Sequence, residues 1–191
     1  MDLGDRLVAI AESRAALVVA GVWGFAEATL FFVVPDVWLG FVALFAPRRA
    51  LPAFGITLVG AVLGALVLYV LAPMLPGLPG YFDALPAISA EDIERTTSSL
   101  RADGPLAFVS SLFQGLPIKL HVHAAALLGL PLPGVLAMVV VNRLLRIGLV
   151  TVGIAVVGHV LRAPIRRHPA ITLTLYGLGV IAVYIYFWFL R

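Results

Sequence analysis

The apolar stretch over residues 15–46 contains two carboxylates and a proline where a membrane span would carry only apolar side chains. Glu27 and Asp36 interrupt it, and Pro35 directly precedes the second of them. A spanning helix needs about 20 residues, at ~1.5 Å of rise each, to cross a hydrocarbon layer of ~30 Å. The stretch is too long for one straight span and too short for two spans with a turn. We therefore predict a re-entrant hairpin over 15–46 that breaks near Pro35, with its turn buried in protein or facing a wet cavity.

The composition indicates that the rest of the chain also belongs to a membrane protein. Of the 191 residues, 62% are hydrophobic and 12% are charged, and the mean hydropathy is +1.08. Charged residues make up about a quarter of a soluble domain, so a soluble fold of this length could not bury so much apolar surface. The net charge of +3 is interpreted as loop charge that sets orientation, and we expect no nucleic-acid partner. The chain has no cysteine, which excludes disulfides and thiolate metal sites.

The remaining segments predict a single all-α polytopic membrane domain over residues 1–191. The two halves correspond, because in each half a proline break is followed, at a nearly equal separation, by a proline that heads a long span. This correspondence predicts two opposed re-entrant hairpins and an inverted repeat. Gly60 and Gly64 have the spacing of a close helix contact. The predicted segments are a span over 51–78, a polar loop with a short amphipathic helix over 80–103, a second hairpin over 105–132 broken at Pro117, and spans over 133–161 and 170–190.

The charges of the loops predict the orientation. Arg48, Arg49 and the basic cluster within 162–168 should face the cytoplasm, and the acidic 80–103 loop should lie outside. The number of membrane crossings agrees with these loop positions only if each hairpin returns to the side of the membrane from which it enters. We predict an integral protein of a bacterial or archaeal cell membrane, with its N-terminus and the 162–168 loop inside and its C-terminus outside.

Five ionisable side chains lie in or beside the apolar segments. A charge at the centre of a bilayer costs roughly 2.5–3.5 kcal/mol on insertion scales, so these groups should pair with one another or face water. The alternative is a purely structural role, in which they hold helices together or extend to the membrane surface. The five residues are Glu27, Asp36, Lys119, Arg143 and Arg146.

Arg143 and Arg146 are the first candidates for binding a ligand. They are three positions apart and would share one face of a helix, where two guanidinium groups suit a phosphate or a pair of carboxylates. Asn142 and Gln114 are further candidate donors, beside Lys119. Pairing of the arginines with the carboxylates alone is the competing interpretation.

Other chemistry is not indicated by the sequence. His121 and His123 are two apart, so they point to different sides of a helix, and nothing else supplies ligands, so we predict neither a metal nor a cofactor. Motifs of nucleophilic hydrolases, zinc proteases and nucleotide-binding proteins are missing, so we do not predict an enzyme. Tyr184, Tyr186 and Trp188 are assigned to an aromatic belt at the membrane surface.

Four motifs, in this order, resemble the DedA superfamily, whose members share the VTT domain, and in particular its short YqaA-like branch. They are FAEATLFFVVPD, GAVLGALVLYVL, FQGLPIKLHVHAAALLGLPL and NRLLRIG, and the resemblance covers about residues 22–158. It implies two opposed re-entrant hairpins. It also implies the movement of lipids across bilayers, with undecaprenyl phosphate as the lipid in bacteria and phospholipids in eukaryotes.

The resemblance also implies roles for individual residues. Glu27 and Asp36 match the acidic residues of the family's first hairpin, and Arg143 and Arg146 match the arginines beyond its second hairpin. The chain differs from the family pattern where Asp36 replaces a common glutamate and where Lys119 stands near the second proline, at which many members have an arginine.

These observations predict a flippase or scramblase for an anionic lipid, with undecaprenyl phosphate or another polyprenyl phosphate as the first candidate. Arg143, Arg146 and Lys119 would hold the phosphate, and Glu27 and Asp36 would exchange protons or compete for the arginines. The expected partners are the membrane and that lipid, with a homo-oligomer as one form of assembly. The alternatives are a small-solute or ion transporter that uses the same residues, and a membrane scaffold that transports nothing.

Overall fold

The computed structural model describes residues 2–31, 33–84, 88–114 and 116–186, with the backbone alone at positions 110, 111, 113 and 114. All regular structure in this part of the chain is helical, which confirms the predicted all-α class. The helices are α1 (Leu3–Glu12), α2 (Arg14–Thr29), α3 (Asp36–Phe45), α4 (Pro47–Leu71), α5 (Leu78–Asp83), α6 (Ala90–Asp103), α7 (Ala107–Gln114), α8 (Ile118–Leu127), α9 (Leu132–Arg143), α10 (Leu149–Val160), α11 (Arg162–Arg167) and α12 (Pro169–Ile185).

Two helical segments are long and apolar enough to cross a membrane, as expected for a membrane protein. The first is Pro47–Met74, which is α4 with a short 3₁₀ extension, and the second is Leu132–Val160, which joins α9 to α10 through a π-helical turn at Leu144–Gly148. The first segment is shifted by four residues toward the N-terminus relative to the span predicted over 51–78. A third is counted if α1 and α2, which meet at 60°, act as one span. The predicted C-terminal span is represented by α12, and its residues 187–190 lie outside the described part of the chain.

Between α2 and α4 the chain reverses its direction. The indole Nε1 of Trp23 donates to the carbonyl of Val33 (2.9 Å), and Nε1 of Trp38 donates to the carbonyl of Ala16 (2.9 Å). Later residues therefore lie beside earlier ones, so the chain after α2 runs antiparallel to it. Pro35 occupies the position before α3, where its fixed φ suits the start of a helix. The helical structure is interrupted between Thr29 and Asp36, next to Pro35.

Helices α2 and α4 run parallel with their backbones in contact. A Cβ atom added to Gly64 would lie 2.5 Å from the carbonyl oxygen of Phe25, and one added to Gly60 would overlap the backbone of α2. The hydroxyl of Thr57 donates to the carbonyl of Ala20 across the same contact (3.1 Å). Small residues allow this approach, as in other membrane helix pairs. The predicted close packing at Gly60 and Gly64 is confirmed.

The second half packs around α4 as well. Helix α8 lies against α4 and α6, while α9 and α10 both contact α4 and α3 packs on α10. Helix α6 begins with a capping box in which Ser89 and Asp92 bond each other's backbone N–H groups, and this agrees with the helix predicted in the 80–103 loop. The largest core cluster lies between α4, α6, α8 and α9, with Phe82 and Phe108 fully buried in it.

Candidate functional site

The five charged residues singled out in the sequence come from both halves of the fold. Glu27 lies in the last turn of α2, Asp36 is the first residue of α3, and Lys119 is the second residue of α8. Arg143 ends α9, and Arg146 lies in the π-helical turn that follows. We call these five residues the central charge cluster.

Glu27 and Arg143 form a buried ion pair. Nη2 of Arg143 donates to Oε2 of Glu27, and the two side chains are only 1% and 4% exposed, for Arg143 and Glu27 respectively. The pair joins α2 to the end of α9 and thereby links the two halves of the chain. Because both charges have left water, each depends on the other for compensation.

The guanidinium of Arg143 has further donors that the ion pair does not use. Its Nε and Nη1 atoms are buried and have no hydrogen-bond partner among the described residues. The Oδ1 atom of the Asp36 carboxylate is also buried and has no hydrogen-bond partner among the described residues. Buried donors of a charged group are costly to leave unpaired. The guanidinium of Arg143 therefore keeps hydrogen-bonding capacity that the described residues do not use.

Lys119 ties the second half to the turn of the first. Its side chain is buried, and Nζ donates to the carbonyl oxygen of Phe31 at 2.7 Å. The charges that act on this ammonium group are Glu27, which attracts it, and Arg143, which repels it. Pro117 directly precedes α8, so Lys119 lies in the first turn of that helix.

Asp36 and Arg146 complete the cluster. The charges with the largest effects on the Asp36 carboxylate are, in decreasing order, Arg146, Arg143 and Glu27. The position of Asp36 at the start of α3 also favours its negative charge, because the N-terminus of a helix carries a partial positive charge. Arg146 is half-buried, whereas Arg143 is fully buried.

Arg143 thus pairs directly with Glu27, whereas, among the described residues, Arg146 and Asp36 form no ion pair with each other and interact only at longer range. The three-residue spacing of Arg143 and Arg146 predicts that they share one face of a regular α-helix. In the structure the chain between them enters a π-helical turn, which widens the helix and changes the direction of the later side chain. No feature of the local sequence predicts this π-helical turn.

Of the other predicted donors, Asn142 binds a backbone carbonyl, and the side chain of Gln114 lies outside the described residues. Nδ2 of Asn142 donates to the carbonyl of Phe108 (2.9 Å) and so holds α9 to α7. Gln114 ends α7, and its side chain lies outside the described residues. His121 is buried and packs at a tilt against Phe108. His123 is buried and packs edge-on against Phe82. Within the described residues no group of three metal-ligating side chains is found.

Tyrosines bind the turn between α2 and α3, which sequence reasoning did not foresee. The hydroxyl of Tyr176 donates to the carbonyl of Val37 (2.6 Å), and that of Tyr184 accepts from the backbone N–H of Val34 (3.0 Å). The hydroxyl of Tyr81 donates to the carbonyl of Leu30 (3.0 Å). The assignment of Tyr184 to an aromatic belt is therefore incomplete, because its hydroxyl also binds the backbone of the turn before α3. Trp188 of the same predicted belt lies outside the described residues.

No family model matches the chain, and no curated protein or solved structure matches it.

Proposed function

We propose that the protein moves an anionic lipid across a membrane, as a flippase or scramblase, with a polyprenyl phosphate as the first candidate. The observation that carries the proposal is the guanidinium of Arg143, which is buried beside Glu27 and keeps Nε and Nη1 without a partner among the described residues. A phosphate group has the oxygen atoms and the charge that complement these donors.

In this proposal the α2–α3 and α7–α8 segments are re-entrant hairpins that enter from opposite sides and form an inverted repeat. Three features support it. Each hairpin breaks at a proline that directly precedes its second helix. A long apolar helical segment follows each hairpin. The second helix of each hairpin also packs on the long segment of the other half, α3 on α10 and α8 on α4.

The proposed mechanism is a competition for Arg143. The lipid phosphate displaces Glu27 from the guanidinium, and Lys119 and Arg146 add positive charge around it. The displaced carboxylate, together with Asp36, takes up a proton or attracts the arginines back once the lipid has left. The apolar tail stays in the bilayer, beside the exposed apolar side chains of α4 and α10.

A scaffold without transport is the second candidate, because a closed and buried ion pair is also what a structural link between helices requires. A small-solute or ion carrier would use the same charges without needing a lipid tail. The three functions predict different results in reconstituted vesicles.

The test is translocation of a fluorescent polyprenyl phosphate in liposomes, followed with a membrane-impermeant quencher. We expect Glu27→Gln and Arg143→Ala to abolish translocation. The double variant Glu27→Gln/Arg143→Met should fold without the buried ion pair and still be inactive. The matched control is Glu91→Gln/Arg95→Ala, which removes an exposed ion pair from α6 and should keep wild-type activity.

Full translocation by Glu27→Gln and Arg143→Ala would refute the proposal. A wild-type protein that moves no lipid would support the scaffold if it also leaves anionic solutes in place. The solute carrier would be supported if the vesicles lose a trapped anionic dye but retain the lipid distribution.

A further inference from the structure

A surface pocket lies at one end of the molecule, where α3 and α10 end and α4 and α11 begin. Its lining includes three arginines, Arg48, Arg162 and Arg166, together with His159 and the single carboxylate of Glu12. All five residues are exposed, and the three arginines belong to the basic segments predicted to share one side of the membrane. None of them is a member of the central charge cluster.

A backbone contact brings the two basic segments together. A Cβ atom added to Gly158 would lie 2.6 Å from the carbonyl oxygen of Ala43 and 2.7 Å from that of Leu44, so α10 ends directly against the end of α3. Ile165 of α11 is buried in a small apolar cluster with Phe45 and anchors the short helix there. The arginines before and after this contact therefore face one pocket.

The charges of the pocket are not balanced within the described residues. Three arginines face one carboxylate, and the ion pairs found in the described part of the chain involve none of these four side chains. Guanidinium groups present planar sets of N–H donors that bind two oxygens of a phosphate at once. Orientation of the protein in the membrane requires only that basic residues lie on one side, and it does not require them to line one pocket.

We propose that this pocket binds a phosphate group, carried either by a lipid headgroup at the membrane surface or by a phosphate compound in solution. Arg162 and Arg166 hold the phosphate from α11, and Arg48 closes on it from the start of α4. Val8 and Leu44 supply apolar lining beside the charged groups, which suits a phosphate attached to an organic group. The site acts independently of transport through the central charge cluster.

The test compares two double variants of the full chain in detergent that remove the same charge. Arg162→Ala/Arg166→Ala removes two pocket residues, and Arg49→Ala/Arg167→Ala removes two arginines that do not line the pocket. The probes are inorganic phosphate and a short-chain phosphatidic acid, titrated calorimetrically at low ionic strength. We expect the pocket variant to bind about tenfold more weakly or worse, and the control variant to stay within about twofold of the wild type.

Equal losses in both variants would mean that only general surface charge is involved, and would overturn the proposal. So would the failure of the wild type to bind either probe. Much tighter binding of phosphatidic acid than of inorganic phosphate assigns the site to a lipid headgroup, and comparable binding assigns it to the phosphate alone. Arg162→Lys/Arg166→Lys, which keeps the charge and the fold, should bind more weakly than the wild type because it loses the bidentate geometry.

Repeating the titrations in the Glu27→Gln/Arg143→Met background separates the two sites. Pocket binding should persist there even though translocation is lost. A transport experiment that fails therefore leaves this proposal standing, and absent phosphate binding in the pocket leaves the proposed transport standing.

Discussion

Arg143 and Glu27 form a buried ion pair although 116 positions separate them in the sequence. One side chain comes from the last turn of α2 and the other from the end of α9, so the pair is formed only when the two halves of the chain have packed together. Neither residue can satisfy its charge locally. The pair therefore links the assembly of the fold to the chemistry of the site.

Removing one member of this pair should destabilise the protein strongly. Glu27→Ala leaves the Arg143 guanidinium buried without its carboxylate, and we expect a loss of about 3–5 kcal/mol in the free energy of unfolding. Glu91→Ala breaks the exposed pair with Arg95 and should cost about 0–1 kcal/mol. Unfolding in mixed detergent micelles, followed by tryptophan fluorescence, measures both.

The double variant Glu27→Gln/Arg143→Met should recover most of that stability, because it removes both charges and keeps similar side-chain volumes. If it is as unstable as Glu27→Ala, the loss comes from packing around the site and not from the uncompensated charge.

The contact between α2 and α4 should depend on single glycines of α4. Gly60→Ala places a methyl group against the backbone of α2, whereas Gly55→Ala, in the same helix, meets no atom within 4 Å. We expect Gly60→Ala to destabilise the protein by about 1–3 kcal/mol. Gly55→Ala should be neutral or stabilising by up to about 1 kcal/mol, through helix propensity. Equal stabilities of the Gly60→Ala and Gly55→Ala variants in the same unfolding assay would contradict the close contact between α2 and α4.

The hydroxyl of Tyr176 should hold the start of α3 in place. Tyr176→Phe removes the hydrogen bond to the carbonyl of Val37, and a bond of this type contributes about 0.5–1.5 kcal/mol. Hydrogen exchange measured by mass spectrometry should become faster in peptides that cover residues 33–40. Peptides from α6, which Tyr176 does not contact, serve as the internal reference. Unchanged exchange over 33–40 would show that α12 does not support the turn.

The orientation can be tested directly because the chain contains no cysteine. Glu94→Cys lies on the exposed side of α6 and Arg167→Cys lies at the exposed end of α11. We expect a membrane-impermeant maleimide to label Glu94→Cys in intact cells and Arg167→Cys only after permeabilisation. Labelling of both from one side would refute the predicted number of crossings, and the reverse pattern would invert the orientation.

Several features of the fold could be predicted because they depend on local sequence. Pro35 and Pro117 break helices, since proline lacks an N–H and clashes with a preceding helical turn. Ser89 starts α6 through a cap that involves only residues within the same turn. Gly60 and Gly64 allow close packing wherever their helix finds a partner. Each of these outcomes follows from a few neighbouring residues.

The central charge cluster was only partly predictable. The sequence identified all five charged residues, because charges in apolar segments are costly and must be compensated. It did not indicate that Glu27 pairs directly with Arg143, because these residues lie in different halves of the chain and meet only when the halves pack together. It also did not foresee Tyr176 and Tyr184 on the turn before α3, because their partners lie in a distant part of the chain.

By itself, the sequence determined that the chain is helical and apolar enough to cross a membrane, where its helices break, and which polar residues need partners. These properties come from hydropathy, backbone chemistry and the cost of burying charge, and they act over a few residues. Only the tertiary structure decided that Glu27 meets Arg143, that Lys119 binds the carbonyl of Phe31, and that Arg48 shares a pocket with Arg162. Such pairings depend on how whole helices pack, and the free energy of that packing is spread over many contacts that no local pattern records.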